Sequence, residues 1–384
     1  MMNFLRFVLP GIAMIASTYG LARFSFGLLL PDIQKSLQLS DLMSGTISSL
    51  FYLAYCFTIT LSTIITIRQG PRKMIFAAGL AALIGLLCMG LAHNIYILGL
   101  GVLLAGASTG LVSPPYGAAI SLWIEEKKQG IANTWINSGT SIGIILSGLG
   151  AILLTPHWRI TYFIYAVLTL ITLLWNIQII PKKSMYSTRM VLKKGDYSIK
   201  GVEGSIRLSI ASVVLGICSA AFWTFSRSFF ENAGNYEDWQ LSIFWVVIGV
   251  LGILGGFSGS LIEKKGLPFS YKFATILLSI ASIILALSPD KWFIAYSAAG
   301  IFGGSYIFLT GVLLVWGIRV FIHNASLGIG VPFLLLAVGQ VIGSLSAGLF
   351  IGLWGYASTF ILFGCAGLLA SFITPKKKQT YESI

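Results

Sequence analysis

Apolar residues run through this chain in long unbroken stretches, and polar residues fall in short clusters between them. A helix of about 20 apolar residues crosses roughly 30 Å of hydrocarbon. Runs of that order occupy 5–30, 43–67, 74–92, 95–122, 131–154 and 158–180, then 207–230, 240–262, 270–288, 291–317, 324–352 and 356–374. The pattern predicts an all-α integral membrane protein with twelve transmembrane helices. Residues 1–180 are expected to form an N-terminal six-helix bundle and 207–375 a C-terminal one, joined by a basic linker, 181–206, and followed by a short tail, 376–384. The first run begins after Arg6 much as a signal peptide would. It is too long and has no small-residue cleavage site, so it is expected to be the first span.

Composition agrees with the pattern. Of 384 residues, 56% are hydrophobic and only 10% charged, against roughly 25% charged in soluble domains. The net charge of +13 does not mark a nucleic-acid partner, because the cations are scattered between apolar runs. Their distribution instead sets an orientation. With both termini cytoplasmic, the inner segments hold twenty cations: Arg6, Arg68, Arg72, Lys73, Lys127, Lys128, Lys182, Lys183, Arg189, Lys193, Lys194, Lys200, Arg207, Lys264, Lys265, Lys272, Arg319 and Lys376 to Lys378. The outer segments hold three, Lys35, Arg159 and Lys291, and Arg23 and Arg227 remain within spans. A multi-pass protein of the cell membrane is expected, acting as a monomer in the lipid bilayer.

The halves repeat. Arg68 and Gly70 match Lys264 and Gly266 at an offset of 196; Gly106, Gly110 and Gly117 match Gly300, Gly304 and Gly311 at 194; Gly139, Gly143 and Gly148 match Gly339, Gly343 and Gly348 at 200. Three sets at nearly constant offset indicate a parallel duplication of a six-helix unit.

These features together resemble the major facilitator superfamily. The turn after the eighth run, Gly259-Ser-Leu-Ile-Glu263-Lys264-Lys-Gly266, is similar to the Gly-x-x-x-acid-basic-x-Gly turn of that family. Its first-half counterpart departs, with Thr63 in the glycine position and Ile67 in the acid position. The resemblance implies gating roles for Arg68, Glu263 and Lys264, and puts the strength of the first-half latch in question. The stretch Gly20-Leu-Ala-Arg-Phe to Pro31 is also similar to the first helix of YbfB/YjiJ-like transporters. Its arginine eight residues before a helix-ending proline resembles the organophosphate/phosphate antiporters, whose wider site sequence differs.

Chemistry points to binding rather than catalysis. No His-x-x-x-His pair, Gly-x-Ser-x-Gly elbow, phosphate loop or Cys/His cluster is present, so no catalytic residue, metal or cofactor is expected. His93, His157 and His323 fall at span ends, and Cys56, Cys88, Cys218 and Cys365 read as small buried hydrophobes. Arg23 is the leading candidate. A charge at mid-bilayer costs roughly 2.5–3.5 kcal/mol, and a guanidinium offers two-pronged donation to a carboxylate or phosphate. Snorkelling outward, or an ion pair with Asp32 or Glu231, would also account for it. Arg227 is a second candidate, with Glu231 at ion-pair spacing; counted from the basic turns, it is not a clean repeat equivalent of Arg23.

Spans one, four, seven and ten line the cavity in the fold the resemblance implies, with faces of two, five, eight and eleven. Tyr19, Tyr52, Tyr55, Tyr116, Asn137, Ser141, Trp223, Tyr306 and Gln340 are the polar or aromatic candidates there. Packing between helices competes with ligand contact at each, because such residues also hold helices together. Ser113-Pro114-Pro115-Tyr116 is expected to kink span four and free carbonyls into the cavity. Span interiors lack Asp, Glu and His apart from the boundary acids Asp32 and Glu231. The expected partner is therefore a small anionic or zwitterionic substrate, moved by secondary active transport with alternating access. Two alternatives stand beside this: a multidrug-type or metallophore exporter, and a non-transporting receptor or sensor in a transporter fold.

Overall fold

The structure is a computed structural model that describes residues 4–154, 157–181, 202–234, 236–322 and 325–375. Most of the basic linker (Lys182 to Lys200), His323 and Lys376 to Lys378 lie outside the described residues. Eleven helices among those described are long and apolar enough to cross a membrane. The last, Ala325–Ala370, contains a left-handed break at Gly355 (φ 79°, ψ 173°) and comprises spans 11 and 12, so twelve spans result.

Spans 1 to 6 are Phe4–Leu37, Asp41–Gln69, Pro71–Gly90, Ile95–Trp123, Glu126–Leu154 and Trp158–Ile179. Spans 7 to 10 are Ser205–Ala233, Asp238–Lys265, Leu267–Leu287 and Trp292–Val320. The chain gathers into two compact units. One takes the described residues of Met1–Ser40, Leu50–Val191 and Tyr236–Gly249; the other takes those of Asp41–Ser49, Leu192–Asn235 and Val250–Ile384. The start of span 2 thus groups with second-half helices, and the start of span 8 with first-half helices.

Repeat symmetry is visible in the backbone. Gly70 and Gly266 end spans 2 and 8 at φ 83° and 85°, with ψ 159° and 161°, a left-handed turn that a β-carbon would strain. Prolines follow at Pro71 and Pro268, in the first turn of the next helix, where a missing N–H costs nothing.

The glycines of spans 5 and 11 meet spans 1 and 7 in the same way. A β-carbon on Gly139 would lie 2.3 Å from Ile12 O and one on Gly143 2.4 Å from Ala16 O; on Gly339 and Gly343 it would lie 2.0 Å from Val213 O and 2.6 Å from Ile217 O. Such close approach replaces hydrophobic driving force between helices in lipid. A second seam pairs the exchanged helix starts. Within one unit Gly148 faces Val246 and Gly249 faces Ile145 and the Ser141 carbonyl; within the other Gly45 faces Ser344 O and Gly348 faces Asp41 O.

Two expectations from the prolines change. Pro31 does not end span 1: the helix Ser25–Leu37 runs through it and stops at Gln38, whose φ of 53° is left-handed. One proline removes one N–H and strips a single carbonyl of its donor, and six further helical residues carry the span onward. Pro114 and Pro115 lie inside the unbroken helix Ile95–Trp123. Pro115 strips the Leu111 carbonyl, which accepts a hydrogen bond from Ser62 Oγ of span 2 at 3.2 Å. That carbonyl joins two helices rather than facing a ligand, as neighbouring hydroxyls do in other broken transmembrane helices.

Candidate functional site

Span 1 is not a uniform helix. Residues Ala16–Phe24 form a π-helix between α-helices Phe4–Ile15 and Ser25–Leu37. π-turns are rare and concentrate at functional sites. Local chemistry favours one here. Thr18 Oγ1 donates to Met14 O (2.9 Å) and Ser25 Oγ to Leu21 O (2.5 Å), drawing carbonyls at both ends of the segment away from the regular ladder. Gly20 sits in the middle, where a β-carbon would lie 2.2 Å from the Gly143 backbone. The wide turn is therefore pressed against span 5 with no side chain between.

Arg23 emerges from the last turn of this segment. It is 7% exposed, which places it inside its unit rather than snorkelling to water. Its guanidinium carbon lies 4.6 Å from the ring centre of Tyr52, 5.2 Å from Phe24, 5.4 Å from Tyr55 and 5.8 Å from Tyr19. Aromatic faces at these distances attract the cation by their quadrupoles. The Tyr19 hydroxyl is fixed in turn, 3.1 Å from Ser113 Oγ and 3.4 Å from Thr109 O on span 4. Three candidates from spans 1 and 2, Tyr19, Tyr52 and Tyr55, thus converge on Arg23. Phe24 and Ser113 complete the group; Phe24 adjoins the arginine in the chain, and Ser113, named above only for the proline stretch, enters through its contact with Tyr19.

A second cluster forms in the other unit. Gln340 Nε2 donates to the Tyr306 hydroxyl at 3.0 Å. Trp223 packs edge-on against Tyr306 and Phe302, both at 5.1 Å, and Phe222 stacks on Phe302 at 3.8 Å. Arg227, one turn along from Trp223, is fully buried. The seams of spans 5 and 11 supply a register: Ile12 corresponds to Val213 and Ala16 to Ile217, an offset of 201. The π-helix then adds a residue: Gly143 also meets Gly20 and Gly343 meets Ala220, an offset of 200. Arg23 therefore corresponds to Trp223, with Arg227 one turn beyond; the neighbouring Thr224 hydroxyl lies 2.8 Å from Ser48 Oγ.

The other candidates are more dispersed. Tyr116 is 3% exposed and donates to Asn176 Oδ1 at 2.5 Å, while Asn176 donates to Pro10 O at 2.9 Å. Ser141 is 2% exposed, with its carbonyl at the Gly249 seam. Asn137 is exposed and donates to Asn133 O at 3.0 Å on its own helix. Arg68, Glu263 and Lys264 are exposed at the two turns. Asp32 is found with Lys35 and Arg159 in a cavity at the far end of span 1. No group of three or more His, Cys, Asp or Glu among the described residues is arranged to hold a metal.

Comparison with known proteins adds three findings. The model of the Major Facilitator Superfamily matches residues 12–331. The multidrug resistance protein MdtG of Escherichia fergusonii is 24% identical over 353 residues, 85% of this chain and 82% of that protein. Among solved structures, a bacterial homologue of the human lysosomal transporter Spinster, inward-facing and occupied, superposes with a TM-score of 0.79 at 13% identity and 100% coverage of both chains. The nucleoside transporter NupG gives 0.76 at 14% identity, over 96% of this chain and 98% of that one. At such identities the structural matches speak to the fold alone.

Proposed function

The chain belongs to the Major Facilitator Superfamily, and on that premise we propose that it carries a small anionic or zwitterionic metabolite across the cell membrane, with Arg23 taking the negative group. The family is one of membrane transporters rather than enzymes. The observation that carries the reading is the buried Arg23 guanidinium among four aromatic rings on a π-helical turn. Rings engage a guanidinium through its face, whereas a carboxylate or phosphate is held through its N–H edge. The two modes use different parts of the group, so an aromatic cage is compatible with anion capture by the same guanidinium.

Tyr19 would assist from the same turn. Trp223, Tyr306 and Gln340, with Arg227, would form the second-half contribution, and Asn137, Ser141 and Tyr116 support the first-half helices. Alternating access would use the turns at Gly70 and Gly266, with Arg68, Glu263 and Lys264 at the cytoplasmic surface. Both termini would lie in the cytoplasm, the side that the excess of basic residues favours.

A ligand screen by thermal unfolding of the purified protein tests this, run over organic acids, amino-acid derivatives and phosphates. A ligand of the folded state stabilises by RT ln(1 + [L]/Kd). Stabilisation by anions in the wild type and its loss in Arg23→Ala are expected. Equal stabilisation of the two proteins overturns the assignment.

A multidrug-type exporter is the second reading, favoured by the name of the MdtG relative and by the aromatic cluster around Trp223. Efflux of lipophilic cations from energised vesicles, undiminished in Arg23→Ala, would select it.

A further inference from the structure

Cations are scarce on the lysine-poor side of this protein: Lys35, Arg159 and Lys291 are the only ones assigned there. Two of the three line one cavity, although 124 positions apart in the chain. Asp32, Lys35, Ser36, His157, Trp158, Arg159 and Ile160 line a cavity of about 550 Å³ where spans 1 and 6 begin or end, beside the end of span 3. Nothing in the transport site uses it.

Arg159 is held rigidly at its wall. Its Nε and Nη2 both donate to Ala92 O, at 3.2 and 3.0 Å, and Nη1 donates to Ser36 Oγ at 3.1 Å. The guanidinium lies 4.2 Å from the ring centre of Trp158, which is 4% exposed. These bonds use three of the five N–H donors of an arginine. The remaining two are pre-oriented, and the ordering cost that normally accompanies anion capture by a long side chain has already been met. Lys35 and His157 are both exposed in the lining of the same cavity. Asp32, one turn before Lys35 and Ser36, belongs to the same lining.

We propose that this cavity is a phosphate-binding site at the membrane surface, in which Lys35, Arg159 and His157 receive the phosphate of an anionic lipid headgroup or of a soluble phosphate. The level of the site, at span ends with a tryptophan beside it, is that of lipid headgroups. Basic pockets between transmembrane helices take such headgroups.

The test is thermal unfolding of the purified full chain in detergent, titrated separately with phosphatidylglycerol, phosphatidylcholine and inorganic phosphate. Phosphatidylglycerol is expected to raise the midpoint more than phosphatidylcholine. Lys35→Ala should weaken its apparent affinity about fivefold, as one surface cation contributes on the order of a fivefold change, and Lys35→Ala with His157→Ala should weaken it further. Lys291→Ala, outside the cavity, should match the wild type. Arg159 is left intact, because its bonds to Ala92 tie spans 3 and 6 together. Lys35-dependent stabilisation by inorganic phosphate alone would assign the site to a soluble phosphate; a lipid-only response would assign it to the headgroup. No stabilisation by either, or equal affinity in the wild type and Lys35→Ala, overturns the proposal.

Discussion

Span 5 rests on span 1 as span 11 rests on span 7: Gly139 and Gly143 meet the Ile12 and Ala16 carbonyls, and Gly339 and Gly343 meet those of Val213 and Ile217. A few residues farther along, the likeness ends. The first half widens into a π-helix and presents Arg23 to Tyr19, Phe24, Tyr52 and Tyr55. The second half stays α-helical and has Trp223 there, packed edge-on against Phe302 and Tyr306. Helix spacing tolerates little change, because a β-carbon in these seams would strike backbone. Side chains on the exit side of the seam carry no such constraint, and the duplicated scaffold can hold two different chemistries. Among the described residues the arginine shown with an aromatic cage belongs to the first half, and Arg227, a turn beyond the corresponding position, is not its mirror image.

Substitutions in the seams break the comparison at its root and should have the largest effect. Gly143→Ala and Gly339→Ala each drive a β-carbon against a carbonyl, at 2.4 and 2.0 Å. Overpacking of this kind costs about 1–3 kcal/mol. Both should lower the unfolding midpoint in detergent by similar amounts. Gly117→Ala, with nothing within 4 Å, should leave it unchanged or raise it slightly. A silent Gly339→Ala beside a damaging Gly143→Ala would mean that the two seams are not equivalent.

Changes to the cage sharpen the difference between the halves. Tyr52→Leu removes the ring nearest to Arg23, and a cation–π contact is worth about 0.5–2 kcal/mol. Apparent substrate affinity should fall several-fold, while Tyr52→Phe, which keeps the ring, should bind as the wild type does. Affinity measurements on the two variants separate a role of the ring from one of the hydroxyl. Thr224→Ala, beside the corresponding Trp223 in the second half, removes the bond to Ser48 and should cost about 0.6 kcal/mol, the average for a hydrogen bond between membrane helices, and leave substrate affinity intact. Smallest of all, Ser62→Ala should lower the midpoint by a comparable amount or less without touching transport, since it removes only the donor to Leu111 O.

The spans and the glycine register of spans 5 and 11 were legible in the sequence because lipid imposes length, polarity and close packing on every helix at once. Arg23 was legible for the same reason: a charge in an apolar run has to be accounted for. Its surroundings were only partly so. Tyr19, Tyr52 and Tyr55 stood out as aromatic hydroxyls on the right spans. The π-helix depends on back-bonding by Thr18 and Ser25 together with contact from Gly143, and that combination of local and distant causes leaves no periodic trace. Pro31 looked like a terminus because a proline marks a lost N–H, not whether the helix resumes. The pairing of Lys35 with Arg159 joins residues far apart in the chain, and no spacing rule links them.

Initial rates of substrate flux into proteoliposomes holding equal amounts of wild type, Arg23→Lys and Arg23→Ala test the central claim most directly, using the ligand that stabilises the wild type. With Arg23 as the anion contact, flux should be lost in Arg23→Ala and strongly reduced in Arg23→Lys, because an ammonium keeps the charge but not the two-pronged edge. Wild-type flux by Arg23→Ala would contradict the account.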